Sequence, residues 1–195
     1  MHPIGSIGST SIALDLSLEP QRQTRFEETV MAHFDAAYNL ARWLARDEHD
    51  AEDVVQEACL RAYRFFGSFH GGNARAWLLA IVRNTYYTWL EKNRAQTLNV
   101  QYNEDTVAAV DYDMATTGDS VERLLHAEDT RRCVHRALEQ IPAEFREVIV
   151  LRELEDLSYR EIAEIADIPL GTVMSRLSRA RKLLLHALQE LDQES

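Results

Sequence analysis

Residues 158–184 read SYREIAEIADIPLGTVMSRLSRARKLL, and the pattern in this stretch decides the fold of the C-terminal part of the chain. Ser158 and Glu161 form a capping-box pair, which predicts that a short helix begins directly after Ser158. The sequence Asp-Ile-Pro-Leu at 167–170 predicts a turn, and a last helix is expected over 171–188. The stretch therefore predicts two helices joined by a tight turn.

The predicted last helix has two chemically different faces. At about 100° per residue, its apolar residues fall on one side; they are Val173, Leu177, Ala180 and Leu184. The opposite side carries hydroxyls, cations and one thioether: Ser175, Ser178, Arg179, Lys182 and Met174. A short helix, a turn and a helix with this polar face are typical of a DNA-reading helix-turn-helix. The alternative is an amphipathic C-terminal helix whose polar face is merely solvated.

The distribution of acidic residues points to nucleic acid. The formal net charge is −11, yet no Asp or Glu occurs between Glu57 and Glu91, or between Asp167 and Glu190. Both windows carry cations, namely Arg61, Arg64, Arg75 and Arg83 in the first and Arg176, Arg179, Arg181 and Lys182 in the second. Local charge is what a phosphate backbone meets, so the sequence predicts two basic surfaces.

The first acid-free window also holds eight of the sixteen aromatic residues of the chain. Unpaired bases stack on aromatic faces beside cations, so this window is a candidate base-binding region. Core packing is the alternative, and we favour it for Phe65, Phe66 and Trp77. The better candidates for base contact are the loop residues His70 to Arg75 and the polar residues Arg83 and Asn84.

The helix that precedes this window has its own exposed face. Asp50 is the expected N-cap, with Asp53 three residues on, and the helix is expected to end near Phe66. The inner face is predicted to hold Val54, Val55, Ala58 and Ala62. The outer face is predicted to hold Asp53, Gln56, Glu57, Leu60 and Arg64. This outer face could dock a partner helix, and a solvated face is the alternative.

The coarse organisation is all-α, because no strand pattern occurs anywhere in the sequence. We expect a mobile tail over 1–20, a helical domain over 21–95, and a second helical domain over 131–195. The segment 96–130 carries one basic and eight acidic side chains, so we expect an acidic, flexible linker there. Within the domains, a helix is expected from about Ala74 to Asn93, and Pro142 is expected in the first turn of another.

Several classes of protein are excluded by what the sequence lacks. Cys59 and Cys133 are isolated, which indicates a reducing compartment and no disulfide framework. We expect no signal peptide, since Asp15 interrupts the N-terminal apolar stretch, and no membrane span. No catalytic motif is present, and His49 does not share a helix face with the nearby acids, so we expect neither an enzyme nor a metal or cofactor site. A cytoplasmic protein is expected.

Three blocks of sequence resemble the extracytoplasmic-function group of bacterial sigma factors, the compact type with only domains 2 and 4. The first block is Asp-Ala-Glu-Asp-Val-Val-Gln-Glu-Ala at 50–58. The second is 69–84, with Ala-Trp-Leu at 76–78 and Ile-Val-Arg-Asn at 81–84. The third runs from Leu151 to Arg181 through the helix-turn-helix. The resemblance spans about Thr24 to Leu188, and all three blocks in this order are specific.

The resemblance implies roles for individual residues. Contact with core RNA polymerase is implied for Asp53, Gln56, Glu57 and Leu60. Contact with the −10 element, including capture of a flipped base, is implied for His70, Gly71, Gly72, Asn73, Arg75, Arg83 and Asn84. Contact with the −35 element is implied for Thr172, Met174, Ser175, Ser178, Arg179 and Lys182. Some relatives carry Arg and an aromatic where this chain has Met174 and Ser178, which shifts −35 reading toward shape and apolar contact; an AAC-containing core is expected.

The implied partners are core RNA polymerase, through its β′ clamp helices and β flap, promoter DNA, and an anti-sigma factor. The chain is expected not to insert into membranes and to be a monomer when free, or bound 1:1 to the anti-sigma factor. Two non-enzymatic alternatives remain. A sigma-like decoy would need no basic recognition face, and a self-sufficient helix-turn-helix activator would need a dimer interface and a symmetric operator.

Overall fold

The computed structural model of the chain describes residues 20–97 and 132–193. The predicted mobile tail over 1–20 and linker over 96–130 therefore lie almost wholly outside the described residues. Within the described ranges, every regular element is a helix, in agreement with the all-α prediction. The α-helices are α1 (20–29), α2 (Phe34–Ala45), α3 (Glu48–Phe65), α4 (Ala74–Thr97), α5 (132–140), α6 (Ala143–Ile149), α7 (Tyr159–Ala166) and α8 (Leu170–Gln193).

The N-terminal unit is a bundle in which α2, α3 and α4 pack against one another. The inner face of α3 is buried as predicted, with Val54, Val55, Ala58 and Ala62 each no more than 3 % exposed. The start of α3 differs from the prediction. Asp47 is the N-cap, accepting a hydrogen bond from the Asp50 amide at 3.1 Å. Asp50, like Asp47, has an acid three residues further on, which is why both match the pattern of an N-cap. The backbone decides between them: α2 ends at Arg46 with φ 68°, and Asp47 is the extended residue directly before α3.

The loop before α4 needs two residues in the left-handed region. Gly71 and Gly72 have φ values of 97° and 99°, and glycine adopts this region without steric cost. Asn73 follows and caps α4, because its Oδ1 accepts a hydrogen bond from the Ala76 amide at 3.0 Å. The helix continues through Thr97, the last described residue of this range, four residues beyond the predicted Asn93.

The C-terminal unit packs α6 and α7 against α8. Pro142 is the N-cap of α6 and lies outside the helix, which begins at Ala143. The chain then forms an unpredicted π-helical turn over Val150–Leu154, closed by a hydrogen bond from the Glu155 amide to the Val150 carbonyl at 3.0 Å. The two units share one continuous apolar core, since buried residues of both belong to a single cluster.

The capping box that opens α7 is confirmed. Ser158 Oγ accepts a hydrogen bond from the Glu161 amide at 3.3 Å, and Glu161 accepts one from the Ser158 amide at 2.8 Å. The Ser158 bonds lower the pKa of Glu161, so the contribution of this cap is present above the ordinary pKa of glutamate and is lost as pH falls below it. The cap fixes where the helix-turn-helix begins.

Replacing Ser158 with alanine should lower the free energy of unfolding by about 1 kcal/mol, because the Glu161 amide loses the Oγ that accepts its hydrogen bond. Urea denaturation at neutral pH measures the change. Ser178→Ala is the matched control, since Ser178 is exposed in the interior of α8 and alanine is a good helix former. Equal stability of the two variants would contradict the role given to the cap.

Candidate nucleic-acid and polymerase interfaces

The two faces of α8 are arranged as the sequence predicts. Val173, Leu177 and Ala180 are buried against the rest of the C-terminal unit. Opposite them, the exposed residues are Met174, Ser175, Ser178, Arg179 and Lys182, while Thr172 is half-buried. Ser175 Oγ donates a hydrogen bond to the Thr172 carbonyl at 3.0 Å, which ties its hydroxyl to the first turn of α8. The helix thus presents cations and hydroxyls to solvent along one side.

The outer face of α3 is also solvent-facing. Asp53, Gln56 and Leu60 are exposed, and Leu60 retains 49 % of its accessible surface. Glu57 accepts a hydrogen bond from Arg61 Nε at 2.7 Å, which lowers the pKa of Glu57 and so favours its carboxylate form. The face therefore combines two carboxylates, an amide and one exposed apolar side chain.

The residues predicted for the −10 element divide into two groups. His70, Gly71, Gly72 and Asn84 are exposed. The other three contact acids of the C-terminal unit: Asn73, which is also exposed, donates to Glu161 Oε1 at 2.8 Å, and the half-buried Arg75 and Arg83 pair with Glu155 and Glu147. The sequence did not predict Glu147, Glu155 or Glu161 as members of this cluster.

Glu147 is the most buried charged group of this cluster, with a fully buried side chain. Both of its hydrogen-bond donors come from α4, namely Arg83 and the Tyr87 hydroxyl, the latter at 3.0 Å. Burial raises the pKa of Glu147, and Arg83 opposes that rise by favouring the carboxylate. Burial and the neighbouring Glu147 charge also raise the pKa of Tyr87. Removing one partner of a buried ion pair of this kind strongly destabilises the fold, because the remaining charge stays buried without compensation.

Of the three aromatic residues predicted to pack in the core, Phe66 and Trp77 pack against other aromatic rings, whereas Phe65 does not. Phe66 is buried, its ring centroid 5.3 Å from that of Phe26, and Trp77 is half-buried with its centroid 5.0 Å from that of Phe69. The core prediction for Phe65 is wrong, because Phe65 is 60 % exposed. It ends α3 next to Phe66, and adjacent helical side chains point about 100° apart, so only Phe66 reaches the core.

A cavity of about 580 Å³ opens between α1 and the loop before α4. Aromatic and cationic side chains line it, among them Arg22, Arg25, Phe66, Phe69 and His70. The Arg25 guanidinium carbon lies 5.8 Å from the Phe66 ring centroid. The arrangement combines aromatic faces with positive charge beside the predicted −10 loop.

Over 20–97 and 132–193, no three His, Cys, Asp or Glu side chains are grouped as metal ligands would be. In the same ranges, none of the helices has the length and apolar character needed to cross a membrane.

Two known protein families match the two units. Residues 29–96 match Sigma-70 region 2, and residues 131–184 match Sigma-70 region 4. The first match contains the α3 face and the loop before α4, and the second contains the helix-turn-helix. The order and spacing of the two matches agree with the fold class predicted from the sequence.

Similar proteins of known function cover most of the chain. It is 38 % identical over 158 residues to the ECF RNA polymerase sigma-E factor of Haemophilus influenzae, covering 78 % of this chain and 80 % of that protein. It is also 38 % identical to the sigma-E factor of Escherichia coli K12 over 148 residues, covering 73 % of this chain and 75 % of that protein. The RNA polymerase sigma-H factor of Pseudomonas aeruginosa is 35 % identical over 151 residues, which are 76 % of this chain and 78 % of that protein.

Solved structures agree with the sequence matches. The Bartonella quintana sigma factor RpoE, in complex with the anti-sigma factor NepR, superposes with a TM-score of 0.68 at 28 % identity, covering 84 % of this chain and 96 % of that one. CnrH, in complex with the cytosolic domain of CnrY, superposes with a TM-score of 0.58 at 26 % identity, covering 89 % and 91 %. With both sigma regions matched and relatives this similar over most of their length, the chain belongs to the extracytoplasmic-function sigma factors of bacterial RNA polymerase.

Proposed function

We propose that three surfaces of the chain carry out the three binding tasks of a sigma factor. The outer face of α3 docks on the β′ clamp helices of core RNA polymerase, the loop before α4 engages the −10 element, and α8 reads the −35 element. The domain limits that go with this division are 21–95 and 131–195, joined by the acidic linker over 96–130. The observation that carries the proposal is the exposed hydroxyl and cation face of α8 inside the region 4 match.

The cavity beside the −10 loop supports a specific step in promoter melting. A base that leaves the duplex gains about 1–3 kcal/mol by stacking on an aromatic face, and a nearby cation holds its phosphate. Phe69 supplies a ring and Arg25 and His70 supply positive or hydrogen-bonding groups at the cavity. We therefore assign the capture of a flipped −10 base to this cavity and to the loop from His70 to Arg75.

Reading of the −35 element follows from the chemistry of α8. Arg179 and Lys182 can bind phosphates or guanine, and Ser175 and Ser178 can donate or accept hydrogen bonds at base edges. Met174 is 50 % exposed and offers an apolar contact, for example to a thymine methyl group. An AAC-containing −35 core remains the expected target.

The proposed partners follow from the family. A sigma-factor relative is solved with the anti-sigma factor NepR, and we propose that an anti-sigma factor also binds this chain in a 1:1 complex. The proposed role is non-catalytic, because initiation needs binding and DNA melting by the chain and bond formation by the polymerase. The proposed site of action is the cytoplasm, where the polymerase works.

Binding of fragmented host genomic DNA, measured with and without bacterial core RNA polymerase, tests the proposal. We expect weak, sequence-independent binding of the chain alone, since few phosphates are neutralised, and retention of discrete fragments when core polymerase is added. Specific retention by the chain alone would favour a self-sufficient activator. Failure to bind core polymerase would favour a decoy that only binds an anti-sigma factor.

A further inference from the structure

Helix α1 lines the cavity beside the −10 loop with polar side chains, namely Gln21, Arg22 and Arg25. Aromatic rings line the same cavity, since Phe66 and Phe69 lie stacked with their centroids 6.1 Å apart. An aromatic ring stacks on any base, because every base has an aromatic face. The polar side chains of α1, in contrast, can distinguish one base from another.

Helix α1 is held firmly against the end of α3. Arg22 donates a hydrogen bond to the Tyr63 carbonyl at 2.8 Å, and its guanidinium carbon lies 4.9 Å from the Tyr63 ring centroid. Phe26 is buried, with its ring centroid 5.2 Å from that of Tyr63 and 5.3 Å from that of Phe66. The side chains of α1 therefore keep a fixed position at the cavity, which lowers the ordering cost of binding a ligand there.

The two arginines of α1 differ in how many of their donors are already used. Arg22 is engaged with carbonyls at the C-terminal end of α3, those of Tyr63 and Arg64. Arg25 is exposed, and within 20–97 and 132–193 no carboxylate forms an ion pair with it. Its guanidinium carbon lies 5.8 Å from the centroid of Phe66, a ring that lines the cavity. Arg25 thus offers its N–H groups to a ligand in the cavity.

The hydrogen-bonding capacity of Arg25 favours one base. An arginine has five N–H donors and no acceptor. Guanine carries two neighbouring acceptors, O6 and N7, which the planar guanidinium fork matches with two parallel hydrogen bonds. Adenine carries an amino donor in place of O6, so an N–H of the arginine would be left facing another N–H without an acceptor. The cavity volume of about 580 Å³ lies within the range of sites that enclose small molecules, so a purine can enter.

Two other uses of these side chains predict different behaviour. Arg25 could bind a phosphate of the strand, for which any cation is suitable. Its contact with Phe66 places the guanidinium in the lining of the cavity, however, whereas the phosphates of a captured nucleotide stay with the strand at the opening. Gln21, one helical turn before Arg25, could bind adenine through its amide. The cations that line the cavity favour a base rich in acceptors over adenine.

We propose that Arg25 determines which base the cavity accepts, and that it selects guanine through a bidentate contact to O6 and N7. Base specificity in the −10 element then depends on α1, in addition to the loop from His70 to Arg75. The inference rests on the proposed capture of a flipped base in this cavity, and it adds the identity of that base and the side chain that recognises it.

Binding of forked promoter fragments to the holoenzyme, formed from bacterial core RNA polymerase and the full chain, tests the inference. The fragments come from a genomic region that the holoenzyme retains, their non-template −10 strand is single-stranded, and each of its positions carries each of the four bases in turn. We expect guanine to be preferred at one position by at least ten-fold, or about 1.4 kcal/mol. Arg25→Ala and Arg25→Lys should both reduce this preference to within about two-fold, because lysine keeps the charge but lacks the planar fork.

The matched control is Lys92→Ala, which removes the same charge from an exposed position of α4 outside the cavity lining and should leave the preference unchanged. A guanine preference that survives in Arg25→Lys would mean that only the charge matters and would overturn the inference. A preference for adenine that Gln21→Ala removes, or a preference for a pyrimidine, would overturn it as well. A base preference that no Arg25 variant alters would overturn the inference and leave base capture intact. Tight binding without any base preference in the single-stranded −10 positions would instead refute the proposed capture itself.

Discussion

Replacing Asp53 and Glu57 with lysine is expected to reduce binding to core RNA polymerase at least 100-fold while leaving the fold intact. Both side chains lie on the outer face of α3, away from the buried inner face, so their replacement creates no cavity. A 100-fold loss corresponds to about 2.8 kcal/mol, which is in the range for reversing charges that meet a complementary surface. The hydrogen bond from Arg61 lowers the pKa of Glu57 and so favours the carboxylate form that the substitution removes.

The measurement is equilibrium binding of labelled protein to bacterial core polymerase, with thermal unfolding recorded in parallel. A control with Glu28→Lys and Glu91→Lys makes the same change in net charge at exposed positions of α1 and α4. The control should bind within a few-fold of the original protein. If the α3 variant binds with unchanged affinity, or if it unfolds at a lower temperature than the control, the docking role of this face is wrong.

Reversing the charges of Arg179 and Lys182 is expected to abolish transcription that depends on a −35 element, with core binding retained. Both cations are exposed on α8, and neither forms an ion pair with any other residue in the described ranges. Each lost phosphate contact lowers the salt dependence of binding by about 0.9 in the logarithmic slope. The double variant should therefore lose affinity for the promoter and respond less to added salt.

The matched single variants are Arg179→Glu on α8 and Arg136→Glu on α5, an exposed cation of the same unit with no assigned contact. Promoter-specific transcription should fall at least ten-fold for the first and remain within two-fold for the second, which corresponds to a difference of about 1 kcal/mol or more. Equal losses would mean that net charge, and not the recognition face of α8, governs promoter binding.

Local patterns in the sequence were enough to predict the helix-turn-helix and the inner face of α3. The Ser158 and Glu161 cap, and the apolar residues at helical spacing on α3 and α8, depend only on neighbours within about one or two turns. Errors arose where two local patterns competed. Asp47 and Asp50 both have an acid three residues on, and only the backbone at Arg46 decides between them.

The contacts between the two units could not be predicted from the sequence. In the sequence, Glu147 is an ordinary acidic residue of an amphipathic helix. No pattern within that helix indicates that Arg83 and Tyr87 donate hydrogen bonds to it. Glu155, which pairs with Arg75, directly follows the π-helical turn over Val150–Leu154, and no residue pattern in the sequence marks such a turn. Long-range ion pairs depend on how two separately patterned units dock, which local periodicity does not encode.

The most direct test of the account is run-off transcription with bacterial core RNA polymerase, this protein and fragmented genomic DNA from its host, with the 5′ ends of the transcripts sequenced. The account predicts discrete new start sites whose upstream sequences share a −35 and −10 pair, and their loss with the α3 or α8 variants. Transcripts whose upstream sequences share no −35 and −10 pair would contradict the account. So would the absence of protein-dependent transcripts when core polymerase binds the chain.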